Sequence, residues 1–366
     1  MRRRTFIISG VSLLAGIMVP FGNIFAYRKD EENESIWLEL LDYARWSPSP
    51  HNVQPWKIKI ISPVEAHLYY DPSRVPIVVD NTSAFTIVGM AMFIECMRIT
   101  ALAKGYVIDA IHDKEPRLNP EGKELRFFAK LHLRQTDKKK DLDPQLIKER
   151  RTSRLQYDGK KVSPVIINKL SAIAAEYGHT FTCTADNNLV HDIVNLNNET
   201  ELKRADEKPT MNEMSRWIRT TDKEAEEKKD GLWYRCLDVS GKMLHNFIYH
   251  HQRFRSGWKR MLTKKMLDKS MHGTANMAWI TGPFRNRNDW VQAGAMLQRM
   301  WLTMTANNIY MHPLGTVVTT SYAKEELLKR ISYNESKGEL WFLIRIGHSN
   351  EPQKSYRLDV KDILIA

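Results

Sequence analysis

Two short stretches carry the side chains best suited to chemistry. The first is Ser47-Pro48-Ser49-Pro50-His51-Asn52-Val53-Gln54-Pro55-Trp56. Its three prolines fix their own φ and push the preceding residues toward extended geometry, so no helix continues through it. What remains is a stiff loop of Ser, His, Asn and Gln side chains and free backbone amides, an array of donors and acceptors suited to a flat heterocycle. The second is Glu149-Arg150-Arg151-Thr152-Ser153-Arg154-Leu155-Gln156-Tyr157, with three guanidiniums and two hydroxyls packed into five residues. Arginine forks bind phosphate oxygens bidentately, and hydroxyls with nearby amides complete the shell. A solvated basic helix end is the competing reading of the same residues.

The remaining reactive residue types point nowhere as definite. Cys96, Cys183 and Cys236 are odd in number and far apart, which indicates neither a disulfide framework nor a metal knuckle. His245, His250 and His251 lie in an aromatic, basic region without the carboxylate or cysteine partners of a metal site. No GxGxxG or GxxxxGK[ST] run occurs, so Rossmann and P-loop readings have no support.

The elements that must position the two stretches follow from hydrophobic periodicity. Residues 36–45 form an apolar-periodic helix that ends where the first stretch begins, and residues 57–61 alternate as a strand after it. Residues 88–106 and 290–309 read as two versions of one long buried helix, matching at Met97/Met300, Thr100/Thr303 and Ala103/Ala306 with an offset of 203. Each is apolar on nearly every side, as a helix between layers is. A charged, turn-rich segment near residues 135–144 separates the two halves. Further strands are expected at 124–133, 179–184 and 340–347, and a helix at 165–177. Strands and helices interleave. With 366 residues, 42% hydrophobic content and 10 Trp, 13 Tyr and 12 Phe, the chain is a folded globular protein with ample core. Its formal charge of +12 favours anionic ligands. Nucleic acid is not expected, because zinc-finger spacing, RNP aromatics and basic heptad helices are all missing from the sequence.

Ala44 through Trp56 resembles the A-x-x-x-P-S-x-x-N-x-Q-P-W signature of the FMN-dependent nitroreductase family. Three further segments match that family in order. Arg150 to Arg154 resembles its R-R-x-x-R opening segment, and Tyr310-Met311-His312-Pro313-Leu314-Gly315-Thr316 its proline-containing, glycine-ending loop. The stretch from Gly347 through Pro352 and Ser355 to Arg357 resembles its closing G-x(n)-P-x-x-S-x-R. The resemblance covers most of residues 35–366, and residues 205–275 match nothing in it.

The resemblance implies an α+β fold of two half-domains in tandem, a pseudo-dimer of mixed sheets flanked by helices with long buried central helices. The halves would span residues 35–134 and 149–366, joined by a linker at 135–148, with a lid-like insertion at about 205–275. It implies FMN as cofactor. Arg150, Arg151, Thr152, Arg154 and Arg357 would hold its phosphate, Ser49, Pro50, Asn52 and Gln54 its ring, with Pro313, Leu314 and Gly315 against the isoalloxazine. The front half supplies one loop and the back half the arginines, so the flavin site is complete within one chain. Residues 27–35 are net acidic and would repel a phosphate from the reciprocal position, so one FMN per chain is expected.

No catalytic side chain or metal is required, because the flavin carries the chemistry. The implied activity is hydride or electron transfer from NAD(P)H or another donor to a small acceptor such as a nitroaromatic or quinone. A low-turnover flavin-binding or flavin-storage protein with a lidded site is the alternative.

The first 26 residues read as an address. Arg2, Arg3 and Arg4 precede a mostly apolar run from Phe6 to Ala26 with no acid, the pattern of a signal peptide or signal anchor. Arg3-Arg4-Thr5-Phe6-Ile7 resembles the twin-arginine export consensus, which is read by export machinery. The expected location is periplasmic, or tethered on the outer side of the inner membrane if the run is retained.

Overall fold

Trp37, Leu40, Leu41 and Ala44 place a fully buried stripe on helix α1 (residues 36–44), and the chain leaves that helix directly into the proline-rich loop. The computed structural model describes residues 36–365. The expected export signal at residues 1–26 and the acidic stretch at 27–35 lie outside the described residues.

After the loop, β1 (Trp56–Ser62) and β2 (Glu65–Tyr70) form an antiparallel hairpin in which Trp56 faces Tyr70 across the ladder. β2 alternates strictly, burying Ala66, Leu68 and Tyr70. β3 (Tyr106–His112) and β4 (Arg126–Gln135) complete a first sheet of order β1-β2-β4-β3. Between β2 and β3 runs the long helix α2 (Ala84–Ala103), nearly all of it buried. Tyr106, read from sequence as the end of that helix, instead opens β3, because Gly105 turns the backbone at φ +77°. After β4 come the short α3 (Gln145–Glu149) and then α4 (Pro164–Glu176), capped by Ser163.

A second four-stranded sheet is drawn from the rest of the chain: β5 (Thr180–Thr184), β8 (Asn276–Gly282), β9 (Tyr310–Pro313) and β10 (Glu339–Gly347), in the order β5-β8-β10-β9. Both ladders are antiparallel. Parallel pairing enters at the edges, where Leu364 bridges Ile58 and Met311 bridges Thr152.

The second long helix, α10 (Arg287–Ala306), starts with a capping box at Asn286 and Asp289 and packs along α2. The two come close enough that a Cβ at Gly294 would lie 2.5 Å from the Val88 carbonyl and 2.6 Å from the Ala91 methyl. Gly294→Ala is therefore expected to destabilise the protein by about 1–3 kcal/mol in chemical denaturation. An unchanged midpoint would contradict a crossing this tight.

Between β5 and β8 lies a helical excursion. α5 (Asn187–Arg204) leads into α6 (Lys208–Trp217), β6 (Ile218–Arg219), α7 (Asp222–Lys228), β7 (Leu232–Trp233), α8 (Gly241–Tyr249) and α9 (Gly257–Ser270). A separate apolar cluster of Met211, Ile218, Leu244 and Ile248 holds it together. Two short helices, α11 (Gly315–Thr319) and α12 (Ser321–Arg330), connect β9 to β10. Beyond β10 the chain returns to the first sheet through α13 (Val360–Ile363), where the Ile365 amide donates to the Ile58 carbonyl at 2.8 Å. That return path carries Ser355, Tyr356 and Arg357 past the proline-rich loop.

Candidate functional site

The proline-rich loop is strained and tightly held. His51, Asn52 and Gln54 all have positive φ (47°, 57° and 49°), the left-handed region that non-glycine residues avoid. Hydrogen bonds to distant backbone compensate. The Gln54 amide nitrogen donates to Lys229 and Asn52 carbonyls at 2.9 and 3.3 Å, its Oε1 accepts from the Leu358 amide at 2.9 Å, and its backbone N–H donates to Ser49 Oγ at 3.0 Å. Asn52 Nδ2 donates to the Gly231 and Tyr356 carbonyls at 3.1 and 3.2 Å. The turn between α7 and β7 and the returning tail thus clamp the loop.

Gln54 departs from the expectation placed on it. It is fully buried with its side-chain polar groups spent on backbone partners, and it is not part of the cavity wall. Its work is to fix the loop. Asn52 differs, because its Oδ1 is buried with no partner among the described residues.

That cavity has a volume of about 640 Å³ and brings together Ser49, Pro50, Asn52, Arg150, Arg151, Thr152, Arg154, Pro313, Leu314, Gly315 and Arg357, all of the expected site residues save Gln54. Its size falls within the ~300–1,000 Å³ of small-molecule sites. The wall is mainly apolar, and the helical excursion between β5 and β8 supplies much of it through Met211, Phe247, Ile248 and Leu267.

Basic charge collects beside the proline-rich loop. Arg150 lies buried over the Trp301 ring, 4.4 Å from its centroid, and donates to the Trp46 carbonyl at 3.2 Å, with Nε unpartnered. Burial, reinforced by the neighbouring Arg357, pushes its guanidinium down to about 9. Arg357 is likewise buried with an unpartnered Nε, and burial pushes it down to about 10. Burial also lowers Arg154, with Cys236 and Glu201 opposing. Arginine keeps its proton at physiological pH. The downward pressure comes from burial without a neutralising ion pair among the described residues. Arg151 pairs with Glu351 at 2.8 Å, whereas Arg150, Arg154 and Arg357 make no ion pair among the described residues. Buried charges in proteins are ordinarily paired, and an anion is the partner such a cluster can take.

A fifth arginine holds the backbone around Arg154, and sequence reasoning gave it no role. Arg345 is wholly buried within β10, stacked 4.3 Å from the Tyr157 centroid. It donates to the carbonyls of Leu155 at 3.0 Å, Ser153 at 3.4 Å and Ser270 at 2.7 Å. The Ser153 amide donates to the Met311 carbonyl at 3.2 Å, which ties the arginine loop to β9 and so to Pro313, Leu314 and Gly315. An arginine inside the apolar run Leu340-Trp341-Phe342-Leu343-Ile344-Arg345-Ile346 was the available signal.

Three further groups in the wall were also missed. His51 and His312 are kept neutral, His51 with its pKa lowered to about 4, by burial and then by Arg154. His312 Nδ1 has no partner among the described residues. Glu201 accepts from the Thr316 hydroxyl at 2.5 Å, and burial raises its carboxyl. Isolated single residues on helices and loops give sequence reasoning nothing to detect.

No protein-family model and no curated protein matches the chain. Solved structures resemble it distantly. An FMN-dependent nitroreductase, NfnB from Mycobacterium smegmatis in complex with NADPH, is 12% identical over 58% of this chain and 93% of its own, with a TM-score of 0.35. A nitroreductase with bound FMN from Desulfitobacterium hafniense is 13% identical over 61% and 96%, with a TM-score of 0.36. One from Bacteroides fragilis, also with bound FMN, is 12% identical over 61% and 97%, with a TM-score of 0.35. At such TM-scores the likeness bears on neither the ligand nor the activity of this chain.

Proposed function

We propose that this protein is an FMN-binding oxidoreductase of nitroreductase type, built from two halves in tandem at residues 35–134 and 149–366. One observation carries the reading: Arg150 and Arg357, buried with no acidic partner among the described residues, line an apolar cavity together with the rigid amide-bearing loop beside them. A phosphate on a flat, largely apolar ring system satisfies the charge and the apolar wall at once.

FMN, when bound, would accept hydride and release electrons singly or in pairs. The chain's own residues bind and orient. Arg150, Arg357 and Arg154 neutralise the phosphate, with Thr152 adding a hydroxyl. Asn52 Oδ1 offers the ring an acceptor, and neutral His312 an unpartnered ring nitrogen. The lid excludes water. Electrons would come from NAD(P)H or another donor and pass to a small acceptor such as a quinone or nitroaromatic. The reading of residues 1–26 supports export through the twin-arginine machinery, to the periplasm or the outer side of the inner membrane.

The lid helices favour a second reading, a flavin-holding protein of low turnover, because they supply much of the wall that an acceptor must cross. Titration with FMN and with riboflavin tests the site. The arginines predict that FMN binds at least about a hundredfold more tightly. Equal affinities would remove the phosphate from the account. Steady-state turnover of the loaded protein with menadione then separates enzyme from store.

A further inference from the structure

The chain's positive charge is unevenly placed. Residues 241–270, which hold α8 and α9, contain eight Lys and Arg against one acid, Asp268. Arg255 and Arg260 pair with Asp206 at 3.7 and 2.9 Å. Lys242, Arg253, Lys259, Lys264, Lys265 and Lys269 make no ion pair among the described residues, and all but Lys259 are exposed.

Large apolar side chains stand among them. Trp258 is 66% exposed, Met261 56%, Leu262 43% and Tyr249 51%. Trp258, Met261, Leu262 and Lys265 fall at i, i+3, i+4 and i+7, so they share one face of α9. Lys259 lies 5.6 Å from the Trp258 ring centroid. No residue of α9 is buried, although Leu262, Met266 and Leu267 also line the cavity, so Leu262 stands at the edge between the cavity and the exposed face. Single exposed apolar residues are ordinary. Trp258 and Met261 side by side among lysines on one helix face are not.

We propose that the exposed face of α9 docks the protein on an anionic phospholipid bilayer. Tryptophan and aliphatic side chains enter the headgroup boundary, while lysines and arginines around them meet lipid phosphates; charge and apolar area act together. A nucleic acid would use the basic charge and the Trp, but Met261 and Leu262 offer it no stacking surface. The docking stands whether or not the cavity holds FMN. If it does, the lid faces the phase in which apolar acceptors dissolve.

The test uses the full chain with phosphatidylcholine vesicles, with and without phosphatidylglycerol. Partition onto the anionic vesicles is expected to fall by about tenfold or more in Lys264→Glu/Lys265→Glu and in Trp258→Ser/Met261→Ser, and to fall with added salt in the parent. None of these four residues lines the cavity. Trp258→Phe keeps an aromatic side chain at the site, and in it part of the tryptophan quenching by brominated lipid seen in the parent should vanish. Equal partition of parent and both charge and apolar variants would overturn the proposal, assigning attachment to the leading apolar run. Equal binding to neutral vesicles, or capture on duplex DNA without vesicle binding, would overturn it as well.

Discussion

Replacing Arg150 and Arg357 together by methionine is expected to weaken FMN binding by about 10²–10⁴-fold while leaving the flavin-free protein at least as stable as the parent. The two effects have opposite signs for one reason. Each guanidinium is buried with no carboxylate partner among the described residues, so in the empty protein its removal relieves desolvation. With phosphate present, each charge-assisted hydrogen-bond set contributes roughly 1.5–3 kcal/mol, and two such losses give the stated range. Methionine keeps much of the packing that Arg150 makes on Trp301. Flavin titration and urea denaturation of stripped protein read the two quantities separately. A parallel fall of both would show that these arginines support the fold and not a ligand.

Arg299→Met should be the most damaging single change away from the cavity. Arg299 on α10 reaches across to Glu95 on α2, donating from Nε at 2.6 Å, and also bonds Asp141. Glu95 is 3% exposed and has Arg98 as a more distant partner at 3.6 Å. Removing the near partner leaves a carboxylate buried between the central helices, which costs about 3–5 kcal/mol. Burial already raises the Glu95 pKa above its unfolded value. A carboxyl of that kind holds its proton more tightly when folded, so lowering the pH favours the folded state. The deficit of the variant is therefore expected to be larger at pH 8 than at pH 5 in paired denaturation curves, and Glu95→Gln in the same background should recover part of it. A deficit that does not change with pH would place the damage in packing.

Sequence reasoning read the long elements well, because their periodicity is intrinsic. The twin buried helices, α1 and the alternating strands β1 and β4 lie within a few residues of expectation. β8 escaped it: Asn276-Met277-Ala278-Trp279-Ile280-Thr281-Gly282 is buried on both faces between β5 and β10, and a strand buried on both faces shows no alternation. Among site residues, the types that must meet an anion or a ring stand out in a linear string. What cannot be read there is how each polar group is spent. Gln54 looks like a ligand contact, yet its amide is consumed by Lys229, Asn52 and Leu358, partners up to 304 positions away. Arg345 stands out in an apolar strand, yet the string does not show that it holds the backbone of residues 153–155. Both roles depend on tertiary neighbours.

The central claim is that one phosphate-bearing flavin is held between the proline-rich loop and the unpaired arginines. Purified protein reconstituted with FMN, desalted and acid-treated reports it directly as released flavin per chain. The account predicts FMN at a ratio close to one. Release of no flavin, or of two per chain, would contradict it.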